Sequence, residues 1–475
     1  MVLAPNGRPA RREIVRARYE AATSNNYRST IPSTLRDARL DADRYTRHEL
    51  ARLGWHLYQN SPFIRSLIER LVTYIIGSGI RPIAASTDPT WNTAANARWA
   101  ELSSSIEYLS GLSWPVYTEQ VCRCAMVAGD CLTVYVDDDE GLRLRLFESH
   151  NVDSQYVSTA ILPANTKDGV TTNAKGQVTY YVFTDGKKVP ADMAVLHWFP
   201  ERPAQYRGVS LLASMLNTAR DVEDILGLEK AAVKDASAKT DIITTATGEL
   251  DDESILRGTI AGADDVDRSD YYRSIIGPEA KVIKAGDQYT PYVSTRPSPA
   301  WAGFMEFLTQ TICLASGLPP SVFLQMKVGG ADTRRDLATA QRVIERYQLK
   351  LAEQFTRIRN HMVAADVETG ALPKAPEGWD RVRWQTPKAI TVDSGREAQQ
   401  DREDVKMGLL TREEYWSRYG LDPSDQDRQV VAEAVERRAL LQGAGLTLDE
   451  FTRLLRLETS DVAPGATQQN EEEHQ

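Results

Sequence analysis

No stretch of this chain approaches ~18 uninterrupted apolar residues, so no membrane-spanning helix is expected. The arginine-rich N-terminus lacks the apolar core of a secretory signal, and Glu13 and Glu20 fit an amphipathic transit peptide poorly. No Gly-x-x-x-x-Gly-Lys-Ser/Thr loop is present to cradle phosphates, which argues against an ATP motor. No segment repeats. Cysteine is scarce, with four in 475 residues. Cys122, Cys124 and Cys131 cluster with His150 nearby, a set that would suit zinc. Their spacing lacks the paired knuckles of structural zinc sites, so buried free thiols are expected instead. Positive charge is also in deficit: 56 Lys and Arg against 66 Asp and Glu give a net charge of −10. That argues against a large basic face gripping nucleic acid, but not against a surface past which nucleic acid slides.

What is present is ordinary for a soluble chain, 42% hydrophobic and 26% charged, enough for two or three domains with large cores. The pattern predicts an α+β fold, mainly helical. Residues 1–49 carry Arg8, Arg11, Arg12, Arg16, Arg18, Arg28 and Arg36 without a sustained apolar period, and read as a solvated basic arm or one that folds against a neighbour. Ser61-Pro62 opens a helix with a wide apolar face from Phe63 to Ile76, closed by Gly77, and Ile80–Ile83 follows as an extended segment. Trp114-Pro115 opens another helix, ending near Ala128. Gly129-Asp130 then turns into a β-branched run, Cys131–Val136, which pairs with Leu142–Phe147 through the acidic turn Asp137-Asp138-Asp139-Glu140. That turn is either a divalent-metal site or simply a wet hairpin tip. Val178–Thr184 and Met193–Phe199, joined through Asp185-Gly186, read as a second hairpin with His197 packed in its second strand. No serine, cysteine or carboxylate is spaced to make His197 part of a triad.

Leu212, Met215, Ala219, Val222 and Leu226 step by three and four, as in a coiled-coil seam, on a helix reaching about residue 238. An acidic segment follows, with short extended runs at Ser274–Ile276 and Lys281–Ile283. Ser298-Pro299 then starts a helix with Trp301, Phe304, Met305, Leu308, Ile312 and Ala315 on one face. Gly317 and Pro319-Pro320 stop it. After a polar loop, Thr333 and Asp336 form a capping pair for a long helix whose ladder runs Leu337, Ala340, Ile344, Tyr347, Leu351, Phe355, Ile358, Met362. Roughly thirty residues would span on the order of 45 Å. Val382–Thr386 reads as a returning strand. From about Asp393 the chain is helical again, with capping boxes at Thr411/Glu414 and Thr447/Glu450.

Three segments carry a resemblance. Gln59-Asn60-Ser61-Pro62 through Ile76-Gly77-Ser78-Gly79-Ile80, then Arg202-Pro203-Ala204-Gln205-Tyr206-Arg207-Gly208-Val209, then Ser316-Gly317-Leu318-Pro319-Pro320-Ser321-Val322-Phe323-Leu324 before a Gly-containing loop, all resemble the lambda-type portal proteins of tailed bacteriophages. Ala204 replaces the family's usual glycine. The resemblance covers roughly residues 50–390. It implies a portal fold assembled as a twelve-subunit ring at one capsid vertex, through which double-stranded DNA is packaged and ejected. The implied regions are a wing (50–208 and 317–395), stem helices (209–238 and 298–316), a clip (239–297), a crown (396–460) and a disordered tail (461–475). The implied partners are terminase large subunit, major capsid protein and head-tail adaptor proteins, with no catalytic residue, metal or cofactor. In such a ring the two stem stripes would bury between neighbours, and the loop at 324–335 would face DNA, with Lys327, Arg334 and Arg335 as the contacting cations. The alternatives are a metal-dependent nuclease using Asp137, Asp138, Asp139 and Glu140, and a scaffold protein that touches no DNA.

Overall fold

The computed structural model describes residues 37–138, 141–237, 242–245, 281–284, 301–324, 330–388, 390, 394–419, 421, 423–443 and 445. In chain order these form α1 (Ala38–Asp41), α2 (Arg44–Asn60), α3 (Pro62–Ile76), β1 (Arg81–Ala84), α4 (Pro89–Leu102), α5 (Trp114–Val127), β2 (Asp130–Asp138) and β3 (Gly141–Glu148). Next come β4 (Thr166–Lys167), β5 (Val170–Thr172), β6 (Val178–Val182), β7 (Lys188–Pro190), β8 (Ala194–Trp198), α6 (Leu216–Ser237), β9 (Ile242–Thr245) and β10 (Lys281–Lys284). The remainder is α7 (Trp301–Ser316), α8 (Pro320–Leu324), α9 (Gly330–Glu368), β11 (Val382–Gln385), α10 (Ser394–Met407), α11 (Arg412–Arg418) and α12 (Pro423–Gly443). The architecture is mixed α+β and mostly helical. No helix among the described residues is long and apolar enough to cross a membrane.

The core is centred on α3. Ser61 caps it by accepting from the Ile64 N–H, Pro62 takes the first turn, and Gly77 ends it at φ +51°. Ile64, Leu67, Ile68, Leu71, Ile75 and Ile76 are fully buried. Each such side chain contributes roughly 1.5–3 kcal/mol of apolar burial, so this helix anchors the packing of α5, α6 and α9 in one cluster. The long helix is longer than its ladder suggested: 39 residues rather than about thirty, because it starts at Gly330 and ends at Glu368. Its central turns are tied to other elements by side chains. The Gln348 amide donates to the Ile75 carbonyl (3.0 Å), Gln354 to Trp198 (2.7 Å) and the Arg359 guanidinium to Trp379 (2.8 Å). β11 pairs antiparallel with β1, the return expected from Val382 onward.

β2 pairs with β3 in full antiparallel register, from Cys131 opposite Glu148 to Asp138 opposite Gly141. The second expected hairpin is corrected. The Asp185-Gly186 turn does bring β6 against a returning strand, but that strand is β7, in a four-stranded sheet of order β4-β5-β6-β7. Pro190 ends β7, since proline has no N–H to continue a ladder. A 3-10 turn at Ala191–Met193 then carries β8 to the other edge of β2, giving the order β3-β2-β8. In the acidic insert, β10 pairs parallel with β9, which the pattern did not announce; Ser274–Ile276 lies outside the described residues. α2 crosses residue 49 and Arg47 is buried, so the last part of the basic arm belongs to the folded body.

One buried joint fixes how these parts meet. The Arg207 guanidinium donates to both Asp130 carboxylate oxygens (2.8 and 2.9 Å) and to the carbonyls of Val152, Asp168 and Ser149 (2.8–2.9 Å). All five of its N–H donors are thereby used. Asp130 also accepts from the Gly208 N–H (2.8 Å). Arg47 of α2 lies 3.5 Å from Asp130, grips Asp168 through two 2.7 Å bonds and donates to the Ser149 hydroxyl. Burial alone would raise the Asp130 pKa, yet the Arg207 and Arg47 charges bring it down to about 2. Gly208 crosses Gly129 so closely that a Cβ on it would sit 1.8 Å from the Gly129 carbonyl oxygen. Ala204 takes a left-handed φ of +55°. A side chain there costs roughly 1–2 kcal/mol, held by Gln205, whose carboxamide oxygen accepts from the Glu201 and Arg202 N–H groups.

Gly208→Ala is expected to destabilise the fold by about 3 kcal/mol or more, because backbone meets backbone and neither segment can yield. A thermal melt checks this; a transition within a degree or two of wild type would contradict the crossing.

Candidate functional site

α7 and α8 lead into the loop singled out for channel contact. Gly317 ends α7 at φ +81°. Phe323 of α8 is buried, edge-on to Phe63 with ring centroids 5.1 Å apart, and the Arg70 guanidinium lies over its ring. The short helix α8 is therefore anchored in the core. Lys327 lies outside the described residues. Arg334 and Arg335 fall in the first turns of α9 and are exposed. Arg335 pairs with Asp332 (3.3 Å) and Asp336 (3.7 Å), and Asp336 also accepts from the Ser321 hydroxyl (2.5 Å). Exposed pairs of this kind contribute at most about 0.5–1 kcal/mol, so neither holds the Arg335 guanidinium tightly. The structure thus brings two of the three candidate cations together, at the end of the longest helix.

α6 and α7 lie side by side. The seam predicted on α6 is real but closes within one subunit: Leu212, Met215, Ala219 and Val222 are buried in the chain's own core and Leu226 is half-buried. On α7, Ile312 and Cys313 are buried, while Trp301, Met305 and Leu308 are half-buried. The expectation that both stripes await a neighbour is corrected for α6, whose seam packs into the chain's own core; on α7 only Ile312 of the expected face is buried, while Phe304 and Ala315 are exposed. The outer side of α7, which includes Phe304 of the expected face, stays bare. Phe304 (50% exposed), Phe307 (63%) and Leu314 (68%) run along the outer face of α7, and Leu228 and Val233 are exposed on α6. Solvated helices seldom show two phenylalanines and a leucine at such spacing without a partner.

The remaining candidates are quickly placed. Cys122, Cys124, Cys131 and Cys313 are buried and free, and burial raises the thiol pKa of Cys122 and Cys131. His150 is exposed and paired with Glu148, not with the cysteines. Among the described residues no cluster could hold a metal ion. Asp137 is exposed at the β2–β3 tip; the side chain of Asp138 and all of Asp139 and Glu140 lie outside the described residues. His197 is fully buried between two elements. Its Nε2 faces the Thr133 hydroxyl (2.8 Å) and its Nδ1 the Gln354 amide oxygen (3.1 Å), linking the β3-β2-β8 sheet to α9. It is a packed strand residue, as its setting suggested. What sequence reasoning missed is the Arg207–Asp130 pair. The signal available was a Gly-Asp and an Arg-Gly dipeptide, each placing a charge beside a glycine.

A model of the lambda family of phage portal proteins matches residues 28–327, more than half of the chain. The chain belongs to that family. It is a family of structural proteins rather than enzymes, so the nuclease alternative falls. This portal protein is also similar to the probable portal protein of Halomonas phage phiHAP-1, at 23% identity over 298 residues. The match takes in 59% of this chain and 55% of that protein, so the chain spans about half the length of the curated relative. Among solved structures it resembles a chain in the virion of a native gene transfer agent particle (TM-score 0.45, 14% identity, 79% of this chain and 94% of that one). It also resembles one in the neck of an empty gene transfer agent particle (TM-score 0.44, 14% identity, with the same two coverages).

Burial holds the His197 pKa down to about 4, against an upward pull from Gln354. A depressed imidazole pKa leaves stability intact above the ordinary value of 6.5 and removes it as pH falls toward 4, because the unfolded chain takes up the proton first. Unfolding free energy should therefore fall by about 2 kcal/mol more between pH 7 and pH 5 in wild type than in His197→Gln. Denaturant titrations at the two pH values measure it, and equal pH dependence in both proteins would contradict it.

Proposed function

We propose that this portal protein is the ring-forming subunit of a capsid-vertex channel through which double-stranded DNA is packaged and ejected. The observation that carries this is the bare outer stripe of α7. Its helix has already buried an inner stripe, so Phe304, Phe307 and Leu314 are left for a second copy. An interface made from one face of each copy and a different face of the next closes into a ring when the rotation closes. Twelve copies is the number the family resemblance implies. In that ring, α6 and α7 act as the stem, the 239–297 insert as the clip, the segments around 50–208 and 317–395 as the wing, and α10–α12 as the crown.

Lys327, Arg334 and Arg335 are the proposed DNA contacts. A subunit of net charge −10 with few cations at a constriction keeps phosphate contacts weak. Weak contacts suit DNA that must move both ways, and repetition around the ring multiplies them. Terminase large subunit, the major capsid protein and head-tail adaptor proteins are the partners that go with such a channel, and the virion is its place.

Two experiments test the halves of this proposal separately. Phe304→Ser with Phe307→Ser should leave the monomer folded and weaken each subunit contact at least about tenfold, about 1.4 kcal/mol per interface, so that rings fall apart to smaller species; unchanged assembly by light scattering would remove α7 from the interface. Arg334→Glu with Arg335→Glu should permit rings but impair packaging or retention of DNA, read as protected DNA per particle. Normal packaging in that double variant would remove both arginines from the channel.

A further inference from the structure

Gly227 lies near the middle of α6, where a glycine needs a reason. Glycine is the poorest helix former after proline, because it gives up the most backbone freedom on ordering. Two uses would offset that cost within one chain: a left-handed φ, or the close approach of another segment. Gly227 serves neither. It takes no positive φ, and a Cβ built on it would meet nothing within 4 Å. The space it leaves lies on the outside of the subunit.

Its neighbours form one patch. Asp224, Gly227, Leu228 and Ala231 stand at i, i+3, i+4 and i+7, side by side on one helix face, and all four are exposed, Leu228 at 69%. The opposite side of α6 is the one that packs inward, through Ala219, Val222 and half-buried Leu226. Four residues at this spacing make the hole of a knobs-into-holes contact. With no side chain at Gly227 and one methyl group at Ala231, this hole is wide, and Leu228 is its apolar wall.

Knobs of matching size are on α7. Phe304, Phe307, Thr311 and Leu314 step by three, four and three, the spacing of a seam that meets another helix, and all four are exposed. α7 carries one charged residue, Glu306, so its stripe can leave water without desolvating a row of charges. Inside the chain, Leu226 of α6 and Met305 and Leu308 of α7 already pack on the same core cluster. Knobs and hole each point away from that shared core, so a subunit's knobs cannot enter its own hole.

We infer that the hole at Gly227, Leu228 and Ala231 receives the Phe304/Phe307 stripe of an adjacent copy of this chain. The inference rests on the ring assembly proposed above and names the surface that its α7 stripe meets. Symmetry and size both select this occupant. A phenylalanine stripe set against its own copy gives a two-fold dimer. The same stripe set into a glycine-floored hole joins two different faces, the heterologous contact that closes into a ring. It also gives the glycine its use, since a side chain at 227 would fill the space that the neighbour's ring takes.

The test uses the full chain. Gly227→Gln puts a good helix former where nothing in the subunit obstructs it. Melted at a dilution where the chain is monomeric, this variant should unfold no lower than wild type. At assembly concentrations it should weaken each subunit contact at least about tenfold, read by light scattering. A glycine needed only by the subunit's own fold would instead lower the melt and leave the contact unchanged, and that result overturns the inference. A chain carrying both Phe307→Cys and Gly227→Cys should form a ladder of disulfide-linked multimers on oxidation, while neither single variant cross-links, since the four native thiols are buried. Dimers from Phe307→Cys alone would show α7 meeting α7 and would also overturn it. Rings in which Gly227→Gln assembles normally, or that give no ladder, overturn the inference and leave the ring proposal standing. A wild-type chain that stays monomeric at every concentration overturns both.

Discussion

Everything else in the fold is arranged around the saturated Arg207 guanidinium. It joins the start of β2, the turn before β5, the segment around Ser149–Val152 and its own loop, and Arg47 adds α2 to the same cluster. Desolvation offsets much of the attraction in a buried ion pair, so its main contribution is to register rather than to net stability. The Gly129–Gly208 crossing allows no other depth of approach. With the joint set, the β3-β2-β8 sheet has a fixed pose against α9, and His197 and Gln354 hold the two together from inside.

That rigid body is incomplete in a particular way. Its core residues on α3, α5, α6 and α9 are satisfied. Its outer features are not: two phenylalanines and a leucine on α7, and Val430, Val431, Val435 and Leu440 on α12, a helix with no buried side chain among the described residues. Each is a different face. A subunit that is finished inside and open on several separate sides is suited to neighbours on more than one side, as in a ring, rather than to a two-fold pair.

Much of this was legible in the sequence, and the limits have physical causes. The ladders of α3 and α9 were readable because a period near 3.6 reports burial directly. The stops at Gly77 and Gly317 were readable because both need a positive φ. Periodicity does not say what does the burying, and so the Leu212–Leu226 seam was assigned to a neighbour when the subunit's own core covers it. Alternation likewise marked β8 as a strand but not its partner, which Pro190 and the following turn decided. The weight carried by Arg207 depends on Asp130, 77 residues earlier, and no local pattern links them. Arg334 and Arg335, read as the end of the 324–335 loop, fall instead in the first turns of α9, which begins at Gly330. Lys327 and the Thr447/Glu450 capping box lie outside the described residues.

The central claim is that this chain is one segment of a closed ring around a hollow axis. The most direct measurement is the mass and negative-stain image of the purified wild-type protein. The account predicts a single large species, close to twelve subunits, with a central hole wide enough for a duplex. A compact monomer or an isolated dimer across the working concentration range would contradict it.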